Sequence, residues 1–328
     1  MSAISPVILE DPPAPTAAAP PDTLRARLFA SGRVVFGGGM LALIVLACLV
    51  TLPITNREST VQRPNNFFYD SQHSDLARLG PSTTSGWRWL GTDPLGRSLL
   101  SRCLFGGLIS LTIGIAAASI SVVLGVSVGL FAGYRGGWVD SLLMRSVDVL
   151  YGLPYILIIV LLKIALEPAL MKTHLSPATV NLMVLFLAIG LVSWLTMARV
   201  IRGQVLSLRA QPFIESCRAS GLTSWRIFTR HLLPNLVGPI TVYATLTVPQ
   251  AILEESFLSF LGIGIQAPMP TWGSLASDGL MPALNPIHHL WYMLVIPCAL
   301  LCITLLSLNF LGDGLRDVFD PKRDASKA

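Results

Sequence analysis

Six apolar stretches recur along the chain, and polar segments separate them. A helix needs about 20 apolar residues to cross the hydrocarbon of a bilayer, and each of these stretches is long enough. The pattern predicts an all-α membrane protein with six transmembrane helices, in which Pro154, Pro249 and Pro297 should kink or loosen three of the spans. The predicted spans cover residues 34–54, 104–133, 149–170, 178–198, 236–256 and 290–311.

The segments between the spans set the predicted organisation. Residues 1–33 are rich in Pro and Ala, which predicts a disordered cytoplasmic tail. The apolar run at 34–54 is too long for the core of a signal peptide and is expected to remain as the first transmembrane helix. The remaining segments are an external loop with an amphipathic segment at 55–103, a core of five helices at 104–311 that includes a cytoplasmic loop at 199–235, and a cytoplasmic tail at 312–328.

The composition agrees with a membrane protein and removes several other classes. Hydrophobic residues make up 52% of the chain and charged residues 12%, against about 25% charged in soluble domains. The formal net charge of +5 is explained by membrane topology, so nucleic acid is not an expected partner. The five cysteines form no C-x-x-C pair; neither a disulfide framework nor a metal site is predicted, and no cofactor is expected.

The distribution of Lys and Arg predicts which side of the membrane each terminus occupies, because these residues accumulate in cytoplasmic loops. With six spans and the N-terminus inside, fifteen of the 23 basic residues fall in cytoplasmic segments. The loop after the fifth span contains none of the other eight. The sequence therefore predicts a multi-pass protein of the cell inner (plasma) membrane with both termini in the cytoplasm.

The chain lacks the motifs of an enzyme that would act on its own. A phosphate-binding loop requires Gly-Lys, but the four lysines follow Leu, Met, Pro and Ser. The five histidines lie in loops or at span ends, and the sequence contains no H-E-x-x-H. We therefore predict a non-catalytic subunit. An intramembrane hydrolase would need a site assembled from groups that the sequence does not pair.

The most informative motif lies in the loop at 199–235. Gly221 separates two short predicted helices, and the second is expected to stop at Pro234. The spacing resembles the E-A-A-x-x-x-G-x9-I-x-L-P motif of permeases of binding-protein-dependent ABC importers, with Ser and Cys in place of the two alanines. In that family the loop forms a coupling helix that docks on the cytoplasmic ATPase. The residues that would carry this role are Glu215, Ser216, Cys217, Ala219, Gly221, Leu233 and Pro234.

Three further segments resemble one branch of that family. Residues 91–102 resemble G-T-D-x-x-G-R-D-x-x-S-R, with Ser98 in place of the second Asp. Residues 258–273 resemble L-S-F-L-G-L-G-x-x-P-x-P-x-W-G, and residues 308–317 resemble L-N-x-L-G-D-x-L-R-D. Together they resemble the C-type permease subunit of the oligopeptide, dipeptide and nickel ABC importers. The resemblance implies a type I ABC importer permease core (MetI-like).

The resemblance also implies an assembly. It would comprise two ABC ATPase subunits, a homologous second permease and an extracytoplasmic substrate-binding protein, with the lipid bilayer around the permeases. The cargo would be di- or oligopeptides, although a nickel or metal-chelate importer stays open because nickel permeases share the motifs. A stand-alone channel or secondary transporter is an alternative of another class. It predicts mid-membrane charges or internal repeats, which the sequence does not show.

Two sets of residues inside the spans have two interpretations each. Small residues at every fourth position of the second span favour close helix packing, within the subunit or against the partner permease. The other interpretation is a direct role in the substrate path. Glu255 and Lys163 are candidates for the path or gate, because ionisable groups at membrane depth are often functional. Alternatively, Glu255 is an interfacial carboxylate bonded to backbone amides, and Lys163 snorkels toward the external side. The small-residue stripe consists of Ala117, Ser121, Gly125, Gly129 and Gly133.

Overall fold

The computed structural model describes residues 24–55, 67–84 and 86–319, and among these residues there are helices and connecting turns but no strand. The predicted all-α class is confirmed. The described helices are α1 (Leu24–Ala30), α2 (Gly32–Thr55), α3 (Leu99–Arg135), α4 (Gly137–Tyr151), α5 (Tyr155–Leu170), α6 (Pro177–Arg209), α7 (Pro212–Ala219), α8 (Ser224–Ile227), α9 (Leu233–Phe260), α10 (Trp272–Leu284) and α11 (Tyr292–Phe319).

Five helical segments are long and apolar enough to cross a bilayer: α2, α3, α6, α11 and the continuous segment Ser224–Phe260, which contains α8 and α9. Helices α4 and α5 meet this criterion only as a pair, and they meet at an angle of 96°. The break follows Gly152, which ends α4, and Pro154, which has no N–H and precedes α5. Counted as one broken span, this pair brings the described part of the chain to six.

Several helices extend beyond the apolar stretches that predicted them. Helix α3 has 37 residues and is about 55 Å long, whereas the hydrocarbon is about 30 Å thick. Helices α6 and α11 continue into the segments predicted as a loop and a tail. The predicted tail at 1–33 lies outside the described residues as far as residue 23, and its remainder is largely helical in α1 and α2. Apolar length measures only the part of a helix within lipid, so it underestimates these helices.

Helices α3 and α6 pack closely along the small-residue stripe. All five residues of the stripe are buried. A Cβ built on Gly125 would lie 2.5 Å from the Met197 Cβ, and one built on Gly129 would lie 2.5 Å from the Ala198 carbonyl oxygen. Larger side chains would therefore separate the two helices, so the stripe serves packing within this chain.

The loop before α3 is tied to the bundle by buried charged groups. The Asp93 carboxylate accepts hydrogen bonds from Arg97 Nε at 2.6 Å and from Arg102 Nη1 at 2.9 Å. Arg102 also reaches Asp278 of α10 at 3.4 Å. The described part of this loop contains two 3-10 turns and no amphipathic α-helix, and residues 56–66 lie outside the description.

Candidate functional site

Helix α7, at the centre of the predicted coupling motif, is attached to the bundle mainly by one side chain. A helix of eight residues is not stable alone in water, so packing must hold it. Ile214 is fully buried, and Cys217 is half-buried beside it. We call the buried residues around this side chain the Ile214 cluster; they come from α3, α6, α8 and the segment that enters α9. Its members are Leu130, Met197, Ile201, Val205, Ile227, Leu232 and Leu236.

Gly221 closes α7 with a Schellman turn. Its φ is +73°, a left-handed conformation that strains residues with a Cβ. The Gly221 N–H donates to the Arg218 carbonyl at 3.0 Å, and the Leu222 N–H donates to the Cys217 carbonyl at 3.2 Å. A Cβ added to Gly221 would meet no atom within 4 Å. The glycine is therefore required by the backbone conformation and not by crowding.

The outer face of α7 is open. Glu215, Ser216 and Ala219 are exposed, and the Glu215 carboxylate has no hydrogen bond or ion pair with the described residues. Two large apolar side chains are also exposed nearby: Phe213, at 40%, and Trp225 of α8, at 73%. The combination of exposed apolar rings and an unpaired carboxylate is typical of a surface that binds another protein.

Pro234 does not end a helix, and that prediction was wrong. A π-helical turn, Phe228–Leu232, joins α8 to α9, and the Leu233 N–H bonds to the Phe228 carbonyl. Pro234 then falls in the first turn of α9, where a missing N–H is tolerated. The Asn235 side chain donates to the His231 carbonyl at 2.6 Å. The prediction rested on the rule that proline ends a helix, whereas the π-turn before it places Pro234 at the start of the next helix. Leu233 and Pro234 are both exposed.

Glu255 lies inside the bundle, away from solvent. It is fully buried, and its carboxylate accepts hydrogen bonds from the hydroxyls of Ser259 at 2.7 Å, Ser110 at 3.2 Å and Ser256 at 3.4 Å. The Ser259 hydroxyl in turn accepts from the Ile265 N–H at 3.2 Å. Glu255 thus helps to fix the turn that follows α9, and its partners are hydroxyls and not the backbone amides expected from the sequence.

Lys163 binds the same turn from the other side. Its ammonium donates to the carbonyl oxygens of Ile263 and Gly264. The residue is only 9% exposed, so it does not snorkel to solvent as expected. Lys163 therefore contacts the segment 261–265 directly, and Glu255 is linked to it through the Ser259 hydroxyl. The sequence alone had no means of predicting either link.

A cavity of about 550 Å³ opens between the α4–α5 break, α6 and α9. Its wall is mainly apolar and aromatic, and its polar groups include Ser193 and Thr196 of α6 and Gln250 and Glu254 of α9. This site was not predicted from the sequence, because residues of four helices, α4, α5, α6 and α9, build it. The signal available in the sequence was the adjacent pair Glu254 and Glu255. Consecutive residues of a helix point about 100° apart, so the two carboxylates face different surroundings.

Comparison with known proteins identifies the family of this chain. Residues 125–325 match the family described as binding-protein-dependent transport system inner membrane component. The chain belongs to this family. It is 44% identical over 234 residues to the dipeptide transport system permease protein DppC of Bacillus subtilis (strain 168), covering 71% of this chain and 68% of that protein. It is 41% identical over 258 residues to the oligopeptide transport system permease protein OppC of Escherichia coli (strain K12), covering 79% and 80%.

A solved structure supports the fold of this family member. A chain from a structure of inward-facing conformations of the MetNI methionine ABC transporter matches with a TM-score of 0.52 and 19% identity, covering 65% of this chain and 94% of that chain. At this identity the likeness shows the fold alone. The resemblance inferred from the motifs and the type I importer permease core are both confirmed. The roles of α7, Glu255 and Lys163 stay predictions.

Proposed function

We propose that the chain is the membrane permease of an ATP-driven importer of di- or oligopeptides, and that α7 is its docking element for a separate ABC ATPase. The observation that carries the proposal is how α7 is attached. Ile214 on its inner face is buried in the bundle, whereas Glu215 and Phe213 are exposed on the surface. The names of the dipeptide and oligopeptide relatives support a peptide cargo. ATP is hydrolysed by the partner subunits, since this chain has no phosphate-binding loop.

The proposed assembly contains two ATPases, a homologous second permease and an extracytoplasmic binding protein in the inner membrane. Both termini of this chain are cytoplasmic, which places α7 on the same side as the ATPases. The placement is tested by thiol labelling of intact cells with a membrane-impermeant reagent. Ser220→Cys should gain label only after lysis, whereas Gln72→Cys should gain it in intact cells. The opposite pattern, measured relative to the parent chain, would reverse the orientation.

The position of α7 provides a route for force. It follows the end of α6 at Arg209 and leads through α8 into α9, so a displacement of α7 acts on both membrane helices. The Ile214 cluster transmits that displacement because close-packed interiors move as units. Helices α6 and α9 also line the cavity of about 550 Å³. Closure of the ATPases would therefore change the shape of the cavity.

The function is tested with the complete complex in cells that lack other peptide uptake. We expect uptake of a labelled tripeptide, and we expect it to stop when the phosphate-binding lysine of the ATPases is replaced. Peptide uptake that continues without ATPase activity would favour the stand-alone channel or secondary transporter. ATP-driven uptake of Ni²⁺ without uptake of peptides would replace the proposed cargo by the metal alternative.

A further inference from the structure

We propose that Glu254 binds the N-terminal ammonium of the cargo peptide in the cavity between α4–α5, α6 and α9. The inference rests on the proposed peptide import and adds a recognition site to it. The observation behind it is that only one of the two Glu254 carboxyl oxygens accepts a hydrogen bond from the described residues.

Glu254 is a buried residue of this cavity, only 8% exposed. The Gln250 side chain donates to its Oε1 at 3.0 Å. Its second oxygen, Oε2, is buried and accepts no hydrogen bond from the described residues. The neighbouring Glu255 provides an internal contrast, because three serine hydroxyls surround that carboxylate. The two adjacent carboxylates thus differ: Glu255 is hydrogen-bonded within the chain at both oxygens, whereas Glu254 keeps one oxygen without a donor.

A carboxyl oxygen without a donor is unfavourable away from water, and a cation removes that penalty. The polar residues that line the cavity around Glu254 are Gln250, Ser193, Thr196, Tyr151 and Tyr155, none of which carries a positive charge. Arg199 of α6, which lies over the ring of the lining residue Tyr151, already pairs with Asp148 at 2.7 Å. The lining residues therefore offer Oε2 no cationic donor, and one supplied from outside the described residues would remove the penalty.

A peptide supplies such a donor whatever its sequence, because its N-terminus is an ammonium group. The volume of the cavity is within the range of small-ligand sites, and its apolar wall, including Leu153, Leu253 and Phe257, suits side chains of varied shape. The hydroxyls of Ser193 and Thr196 lie among the lining residues and match the peptide backbone. A carrier of varied peptides needs one contact common to all of them, and Glu254 provides it.

The position along α9 gives the contact a role in transport. Glu254 lies six residues before the end of α9 at Phe260, which is about 9 Å along the helix axis. A charged terminus that crosses an apolar path meets a high barrier, and a fixed carboxylate within the path lowers it. Glu254 is thus a specificity residue of the path, whereas Glu255 is a positioning residue of the turn behind it.

The test compares two peptides and three forms of the complete transporter in proteoliposomes. The peptides are Ala-Phe-Ala and its N-acetyl form, which lacks the ammonium, each supplied well above its separately measured Kd for the binding protein. The forms are wild type, Glu254→Gln and the matched control Glu167→Gln, a carboxylate of α5 outside the cavity. We expect Glu254→Gln to lower uptake of the free-amine peptide about tenfold or more, leaving the acetylated peptide unchanged. The control should behave as wild type.

The remaining outcomes are distinct. Equal uptake of both peptides by Glu254→Gln and wild type would overturn the inference and leave peptide import intact. An equal loss for both peptides would assign Glu254 to a contact with the second permease, which also overturns it. No ATP-driven peptide uptake by the wild-type complex would overturn the proposed function and the inference with it.

A second measurement avoids any variant that might not assemble. Tripeptides with a photoreactive group beside the N-terminus or beside the C-terminus are cross-linked to the wild-type transporter during turnover, and the attachment sites are mapped by mass spectrometry. We expect the N-terminal probe to label residues 250–257 of α9 in preference to the C-terminal probe. The reverse preference, or labelling of this segment by neither probe during active transport, would contradict the proposed orientation.

Discussion

The turns that follow α7 and α9 have the same backbone but different surroundings. Gly221 and Gly262 have φ values of +73° and +77°. In each turn the N–H of the residue after the glycine donates to the carbonyl five positions earlier. Leu222 donates to Cys217, and Ile263 donates to Leu258. Both are therefore Schellman turns, in which a glycine closes a helix.

What differs is the side chains around the two turns. A Cβ on Gly262 would meet nothing within 4 Å, but the two residues after it are enclosed. Lys163 binds the Ile263 and Gly264 carbonyls, and a Cβ on Gly264 would lie 2.0 Å from the Ser259 hydroxyl. A Cβ on Gly221 would likewise meet nothing within 4 Å, and among the described residues no side chain donates to the carbonyls of Leu222 and Thr223, so the turn after α7 is open. A local motif thus fixes the path of the backbone, and packing decides whether the turn is locked in place. The turn after α7 is not locked in this way and is accessible to a partner protein.

The largest expected effect comes from removing the lysine that locks the turn after α9. Lys163→Met keeps the apolar stem but leaves two buried carbonyl oxygens without their charged donor, so we expect a loss of about 3–5 kcal/mol of stability. Thermal unfolding of the purified chain in detergent measures it. The matched control is Lys172→Met, at an exposed position. Equal melting temperatures for the two variants would show that Lys163 does not hold this turn.

The second effect concerns the attachment of α7. Ile214→Ala leaves a cavity in the Ile214 cluster and should cost about 3 kcal/mol. Because α7 is peripheral, we expect faster hydrogen exchange confined to residues 212–223 and loss of the ATPases on co-purification, with the membrane helices unchanged. Ile287→Ala, at a position 80% exposed, is the control. Uniform exchange changes across all helices would mean that α7 belongs to the rigid bundle.

The third effect compares the same substitution in both turns. Gly264→Ala places a methyl group against Ser259 and should cost about 2–3 kcal/mol. Gly221→Ala meets no neighbour, so its cost is the left-handed backbone alone, about 1–2 kcal/mol. Melting temperatures of the two purified variants give the order. If Gly221→Ala is the more damaging in the isolated chain, crowding does not distinguish these turns.

The smallest effect on the chain itself is expected from Glu215→Gln. The exposed carboxylate has no bonded partner among the described residues, so stability should change by less than about 0.5 kcal/mol. Binding of the ATPases should nevertheless weaken, because the proposed interface loses a charge. The measurement is the amount of ATPase that co-purifies at increasing salt, with Glu167→Gln as the control. Identical salt profiles for the two variants would remove Glu215 from the docking contact.

Much of the architecture could be predicted because the bilayer imposes a minimum apolar length. That rule located the spans, but not helix ends outside the lipid, such as that of α3 at Arg135. Apolar length is insensitive to direction, so the bend after Gly152 was indicated by Pro154 alone, and its angle of 96° was not predicted. Turn chemistry located Gly221 correctly, whereas Pro234 was misread because a π-turn depends on hydrogen-bond register.

The individual site residues were less predictable. The motif placed Glu215 and Gly221 on one exposed element because the backbone hydrogen bonds that form the helix and its turn are local in sequence. The partners of Lys163 lie a hundred residues away, and those of Glu255 include Ser110 on another helix. Such pairings depend on how the helices pack. For the same reason no pattern in the sequence could tell which of the two adjacent acids faces the cavity.

The close fit of α3 and α6 also has a consequence for how the protein is made. Their glycine-lined contact joins segments that are not consecutive, since α4 and α5 are synthesised between them. At about 5–20 residues per second, several seconds separate the completion of α3 at Arg135 from that of α6 at Arg209. During that interval the stripe on α3 faces lipid or the insertion machinery. Because four of its five residues have no polar side-chain atom, the stripe of the unfinished chain exposes only the Ser121 hydroxyl as a polar side-chain group until α6 is made.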